Sequence, residues 1–409
     1  MASTLARLGT AIALTASAIT GLAPVAHADT TPYEMPRLVP AGAGYDAALR
    51  ETADYWTTGR IAAAGLNDDT GGAVGRGSDS VAPADGWDDL AEPYAGQGPV
   101  TTTTGKLLMA LNNAETGAFS HLSTCTASVV QSANRSVVVT AGHCFREQLA
   151  STWPIVGINY TTANAVFIPG FDGSSLTRVP SNLSGQAIND WVDNTPLPGT
   201  DVAPYGVWPV TRLWLTDTWS RERNNFHGND MAAFLVDSPD TSDPIQDVTG
   251  GQAIAFDRPR GESVDVFGYP TANRTLTGTG QWYAPQYSGS TPLFGQAGAN
   301  GVPAGQVRTY DGRSLVVSRG DTTVDQGANY DDILPSAQAQ GSSGGPWFQD
   351  FDSAAGTGTL VGVTSHFVGS TSGGFDYDQL WNPARPHMAG THFAGEEQAV
   401  YQAASAATP

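Results

Sequence analysis

Val137-Val-Val-Thr-Ala-Gly-His-Cys144 is the stretch on which the reading of this chain turns. Three valines and a threonine favour extended backbone, and the small Ala141 and Gly142 end the run and deliver His143. Runs of the same kind recur outward on both sides. They include Ser128-Val-Val130, Ala165-Val-Phe-Ile168, Ala232-Ala-Phe-Leu-Val236, Val264-Asp-Val-Phe267, Leu315-Val-Val-Ser318 and Leu360-Val-Gly-Val-Thr364. Turn-forming segments separate them, the pattern of many short antiparallel strands. The chain carries 48 Gly and 26 Pro in 409 residues, with 10 Trp and 40% apolar residues. That composition suits a turn-rich β protein and opposes both a helical bundle and a disordered chain. The predicted class is all-β, a sandwich or barrel.

Charged residues are only 14% of the chain and the net charge is −20, with Lys106 the sole lysine. An acidic chain without a basic block is a poor binder of phosphate backbones, so no nucleic-acid partner is expected. The seven histidines are scattered singly, without the spacing of metal ligands, and no metal or other cofactor is expected.

The first 28 residues read as a signal peptide: Arg7, a mostly apolar run from Ala11 to Ala23, then Ala26-His27-Ala28. The run is too short and too rich in Thr, Ser and Pro for a membrane span, so no membrane association is expected after cleavage. A secreted chain with only Cys125 and Cys144, 19 positions apart, points to one disulfide. Residues 29–100 differ in texture. Tyr45 to Trp56 has apolar residues near helical spacing, and an acidic, Gly- and Pro-rich linker follows. This region reads as a short propeptide with its linker, a small permanent module being the alternative. Residues 101–393 form the β domain, and 394–409 a tail in which Glu396 to Ala407 reads as a helix.

Two further patterns join the one that opens this section. In Gly341-Ser-Ser-Gly-Gly-Pro346 glycines allow a sharp turn around Ser343, so that neighbouring N–H groups converge on one point. In Asn229-Asp-Met-Ala-Ala-Phe-Leu-Val236 an acidic residue opens an apolar strand. These are the parts that a serine nucleophile requires. Its hydroxyl needs an imidazole to take the proton, the imidazole needs a carboxylate to fix its tautomer, and the oxyanion needs two N–H donors. His143, Asp230 and Ser343 are the catalytic candidates, and the amides of Gly341 and Ser343 the oxyanion donors. Asp201-Val-Ala203 is a rival for the acid, but Pro204 follows it and would spoil a central strand.

At these residues the chain resembles the chymotrypsin-like serine proteases, and among them the secreted trypsin-like peptidases of actinobacteria. The resemblance rests on Thr140-Ala-Gly-His-Cys144, Ser123-Thr-Cys-Thr-Ala-Ser128, Asp230-Met-Ala-Ala-Phe and Gly341-Ser-Ser-Gly-Gly-Pro346, with a strand around Val361 to Ser365. It runs in order over roughly residues 101 to 393. It implies two antiparallel six-stranded barrels, with His143 and Asp230 on the first and Ser343 on the second. It also implies a secreted serine endopeptidase, acting on protein or peptide substrates as a monomer. A non-catalytic binding protein or an esterase on the same scaffold are the alternatives.

Departures from the family pattern carry their own expectations. Trypsin-like zymogens have an aspartate where this chain has Ser342, so activation cannot use a buried ion pair with a liberated amine; it is expected to remove a blocking segment. The residue six before the nucleophile, at the base of the family's specificity pocket, is Ala337, which offers no partner to Lys or Arg. The strand Gly362-Val-Thr-Ser-His366 is expected to line the pocket, with Ser365 backing the catalytic site. His366 could favour an acidic side chain but reads more simply as a strand residue, and Phe367 would narrow the pocket, leaving a weak preference for small or medium apolar side chains. His121, His227, His387 and His392 read as surface or turn residues. His143 and Asp230 are 87 positions apart, and the segment between them holds five tryptophans, which could extend a substrate cleft but are expected to pack an enlarged first barrel.

Overall fold

The computed structural model describes residues 31–64, 91–145, 160–176, 186–195, 201–221, 228–270, 275–276, 282–283, 312–324, 331–336, 338, 341–368 and 387–409. The expected signal peptide, the middle of the expected propeptide linker, and Ala337 lie outside the described residues, as do His227 and the side chains of Phe367 and His387.

Six strands close the first barrel: β1 Thr104–Asn113, β2 Phe119–Val129, β3 Val137–Thr140, β4 Tyr160–Pro169, β5 Trp208–Leu215 and β6 Ala232–Val236. They pair in the order β1-β2-β3-β6-β5-β4 and back to β1, every pairing antiparallel. The valines of β3 are wholly buried and face β6 in register, Val137 against Leu235 through Thr140 against Ala232. Alternate residues of the central strands fill the barrel and pack outward against the rest of the molecule, so β3 and β6 read as continuous apolar runs.

The second unit is built from β7 Ser263–Gly268, β8 Val316–Asp321, β9 Thr323–Val324, β10 Asp332–Pro335, β11 Pro346–Asp352, β12 Thr357–Val368 and β13 His387–His392. Their sheet runs β9-β10-β13-β12-β11-β7-β8, extended at β8 by Glu92–Pro93 and joined in parallel at β12 by Ala253–Ile254. A closed six-stranded barrel, a second antiparallel sheet and a C-terminal helix agree with the chymotrypsin-like architecture expected from the sequence. Trp208 and Trp214 lie in β5 and are buried with Trp219, in line with the packing expected of them.

The helices are few. α1 Tyr45–Asp54 falls within the expected segment, and α2 Thr58–Ala64 follows at once. α3 Gln186–Asn194 was not expected from the sequence; it packs so tightly on α2 that a Cβ on Gly59 would stand 2.6 Å from the Val192 carbonyl oxygen. α4 Gly395–Ala406 is the terminal helix. No helix among the described residues is long and apolar enough to cross a membrane.

Residues 31–64 of the expected propeptide pack on the first barrel, whereas Glu92–Pro93 joins the second sheet. Tyr33–Glu34 pairs with Leu215 and Trp214 of β5, and Trp56, Ile61 and Ala64 are at most 1% exposed within the main core. The Trp56 indole N–H, a polar group that burial would otherwise orphan, donates to Asn164 Oδ1 at 2.9 Å.

Candidate active site

The turn after β3 is a short 3-10 segment, Gly142–Cys144, and it carries His143 to the rim of the barrel. Cys144 is bonded to Cys125 of β2, so the turn is tied covalently to the neighbouring strand. Asp230 arrives from the turn that opens β6. Asn229 before it adopts φ of 68°, a left-handed conformation that Asn tolerates better than most residues. Three contacts hold that turn: the Asn229 carbonyl accepts from Thr216 Oγ1, the Met231 N–H donates to the same carbonyl at 2.9 Å, and Asn229 Nδ2 donates to Glu397 Oε1 at 2.9 Å.

His143 and Asp230 meet through two contacts. The His143 ring Nδ1 lies 2.7 Å from Asp230 Oδ2, and the His143 backbone N–H donates to Oδ1 at 2.8 Å. Ser365 Oγ of β12 donates to Oδ2 at 2.6 Å, which brings the second unit onto the same carboxylate. The Asp230 side chain is 2% exposed and that of His143 22%. Burial pushes the Asp230 carboxyl up, but the charge of His143 and the bonds from its ring, from Ser365 and from the His143 amide outweigh it, leaving the group below the usual carboxylate range. A carboxylate facing Nδ1 fixes a proton there and leaves Nε2 as the basic nitrogen.

Ser343 lies in the loop between β10 and β11, and three strands fix that loop. The Thr126 N–H donates to the Ser343 carbonyl at 2.8 Å and Thr126 Oγ1 to the Gly341 carbonyl at 2.8 Å. The Gly344 N–H donates to the Thr364 carbonyl at 2.7 Å, and the Thr364 N–H returns to Gly345 at 2.9 Å. Gly344 has φ of 77°, and a Cβ there would fall 1.9 Å from Thr140 Oγ1 and 2.8 Å from the Ala141 nitrogen. Only glycine fits this contact, which presses the residue after Ser343 onto the backbone two residues before His143. With these carbonyls engaged, the amides of Gly341 and Ser343 donate to no other group among the described residues. Gly341, at φ 89°, sets the turn that presents them.

Of the other expected site residues, His366 follows Ser365 at a bulge in β12, and its Nδ1 lies 3.1 Å from Ser365 Oγ. Cys125, His143 and Cys144 bring ligand-type atoms together, but both sulfurs are consumed by the disulfide, so this trio is no metal site. His392, expected at the surface, is part-buried, with its side chain largely covered. Its Nδ1 lies 2.9 Å from Asp332 Oδ2 and its Nε2 2.9 Å from the Arg258 carbonyl, partners far off in sequence that nothing local announces.

Three contributors escaped the sequence. Glu397, wholly buried at the start of α4, holds Asn229 and is pushed up to about 7 by burial, which its bonds from Ala394, its own amide and Asn229 offset only in part. Its neighbour Glu396 accepts from Thr218 N–H at 3.0 Å and Thr218 Oγ1 at 2.6 Å. Trp219 follows, with its ring centroid 6.4 Å from that of His143. A Cβ on Gly142 would come within 2.8 Å of Trp219 Cδ1, so the residue before His143 has no room for a side chain unless the indole moves.

No family model matches the chain, and no curated protein sequence does. Among solved structures it is similar to the protease Anisep from Arthrobacter nicotinovorans, at 22% identity and a TM-score of 0.47, over 78% of this chain and 100% of that one. A thermostable serine protease, AL20, from an extremophilic microorganism gives 20% and 0.47, over 76% and 100%. A Glu endopeptidase in complex with MPD gives 14% and 0.41, over 78% and 98%. At such identities the functional reading rests on the side chains just described.

Proposed function

We propose that the chain is a secreted serine endopeptidase that works through an acyl-enzyme. The observation that carries this reading is the buried Asp230 carboxylate, bonded at once to the ring and the amide of His143, on a barrel whose strand β2 also bonds the glycine-rich turn that bears Ser343. His143 Nε2 takes the Ser343 hydroxyl proton as Oγ bonds to the substrate carbonyl carbon. Asp230 stabilises the imidazolium, and the amides of Gly341 and Ser343 hold the oxyanion. The proton then passes to the leaving nitrogen as the C–N bond breaks, and a water activated by His143 hydrolyses the ester on Ser343.

Ala337 and the absence of a carboxylate at that position argue against cleavage after Lys or Arg, and Ser342 argues against activation by a terminal ion pair. Tyr33 to Ala64 packs on the first barrel in the full chain, so a maturation that removes it must first strip it from β5 and from the main core.

The test is a fluorophosphonate probe with peptide and ester substrates. Ser343 is expected to be labelled, and Ser343→Ala to lower kcat by on the order of a millionfold while the protein stays folded. A folded chain that the probe does not label would exclude the mechanism, and ester turnover without peptide turnover would move it to the esterase class.

A further inference from the structure

The proton bookkeeping around Asp230 extends one step beyond the residues used so far. Asp230 is an ionised acceptor, so the single hydroxyl hydrogen of Ser365 is committed to Oδ2. Ser365 Oγ can then only accept from the group on its other side, and that group is His366 Nδ1 at 3.1 Å. His366 therefore carries a proton on Nδ1 and turns Nε2 the other way, where Asp331 Oδ2 stands 3.7 Å off, an ion-pair distance and not a hydrogen bond. The Asp331 side chain is 2% exposed and that of His366 14%. A buried carboxylate is costly unless a polar partner faces it, and the His366 ring stands on the side of Asp331 at that distance. Asp332, the next residue, is turned away to Arg260 and His392. Among the described residues, the charged groups that face Ser365 and His366 include Asp230 with His143 on one side and Asp331 on the other.

The backbone is shaped for this. Register between β12 and β13 slips between Thr364 and His366, so Ser365 is the extra residue of a bulge. Bulges re-aim side chains, and here two consecutive side chains serve one carboxylate in series.

We propose that His366, braced by Asp331, is a positioning residue that donates to Ser365 and so locks the Ser365 hydroxyl onto Asp230. The inference rests on the catalytic reading above. Its effect is on the chemical step: a Ser365 free to rotate leaves Asp230 less firmly held and more basic, which misplaces the His143 ring and raises its affinity for protons.

The test compares His366→Leu, His366→Asn and Asp331→Asn with the full-length wild type on one peptide substrate across pH. Thermal melting and fluorophosphonate labelling of Ser343 are followed in parallel. His366→Leu is expected to lower kcat by about tenfold to a hundredfold with little change in KM, and to move the acid limb of kcat/KM to higher pH. His366→Asn, whose amide keeps a donor near the Nδ1 position, is expected to recover most of the loss, and Asp331→Asn to shift the limb in the same direction by less. Unchanged kcat and acid limb in folded His366→Leu would overturn the proposal. So would an effect confined to KM or to side-chain preference, which would assign His366 to the substrate pocket, or a failure of Asn to rescue. If wild type itself is not labelled, the catalytic reading fails and not this one alone.

Discussion

The imidazole and the hydroxyl of this site are held by opposite means. His143 stands on a closed barrel, in a turn bound to its neighbour by a disulfide and to its own carboxylate by two contacts. Ser343 stands on a glycine turn whose carbonyls are satisfied largely by the other half of the molecule, through Thr126. Thr126 serves both sides: its amide and hydroxyl bond the serine loop, its hydroxyl also accepts from the Tyr269 N–H at 2.9 Å, and its carbonyl takes Thr140 Oγ1 at 2.8 Å within the first barrel. The serine loop is also held within its own unit, by Thr364, and Asp230 also takes a bond from Ser365 across the units, so the separation of the two groups depends on how the units dock.

That contrast can be broken from either side. The largest effect is expected on the imidazole side: Asp230→Asn should keep the fold yet cost about 10⁴ in kcat, because an amide N–H no longer forces the proton onto Nδ1. Steady-state kinetics beside a melting curve decide it, and a loss of less than tenfold would show that another acid orients His143. On the hydroxyl side, Gly344→Ala should lower kcat by at least about a hundredfold, since its Cβ would overlap Thr140 and displace the loop by roughly an ångström. The disulfide should be left formed and the barrel intact, as circular dichroism and thiol titration would show.

Thr126→Val sharpens the comparison, since it removes the hydroxyl while leaving the backbone contacts. The Gly341 carbonyl and the Tyr269 amide lose a partner in a buried place, at about 1–3 kcal/mol each, and denaturant unfolding should register the sum. Replacing Cys125 and Cys144 together by Ala removes the brace of the opposite side. The chain-entropy model puts the loss near 3 kcal/mol for a loop of this size, with kcat of the folded fraction much less affected than by Gly344→Ala.

The smallest effect concerns pH. Glu397 sits at about 7 in the folded protein, above its ordinary value of 4.5, so folding favours its protonated form. Its stabilisation is complete below about pH 4.5 and is lost as pH rises through about 7, with a slope of at most about 1.4 kcal/mol per pH unit. Glu397→Gln, neutral throughout, should flatten that stretch of the stability profile. An unaltered slope would mean that Glu397 is ionised in the folded state and pays its burial through Asn229 and the two amides.

The legibility of the molecule follows the same division. The β-runs, the disulfide and the terminal helix were legible because hydrophobic periodicity and cysteine count are local quantities. α3 was harder to see: Ile188, Trp191 and Val192 have helical spacing, but the segment is short, and the Gly59 against which it packs lies 133 positions from Val192. In the site, the His143 and Ser343 blocks announce themselves through glycines and small residues that the backbone geometry requires. Glu397 and Asn229 are 168 positions apart and Ser365 and Asp230 are 135 apart, and no periodicity encodes such pairs.

By itself, then, the sequence determined the all-β class, the pairing of the two cysteines and the types of side chain available for nucleophilic chemistry. The tertiary structure decided which carboxylate faces which imidazole, which hydroxyl stands behind it, and that residues 31–64 belong to the first barrel. The physical reason is one of range. Propensity and patterning act between neighbours along the chain, whereas hydrogen bonds and the exclusion of water act between whatever surfaces folding brings within about 3 Å.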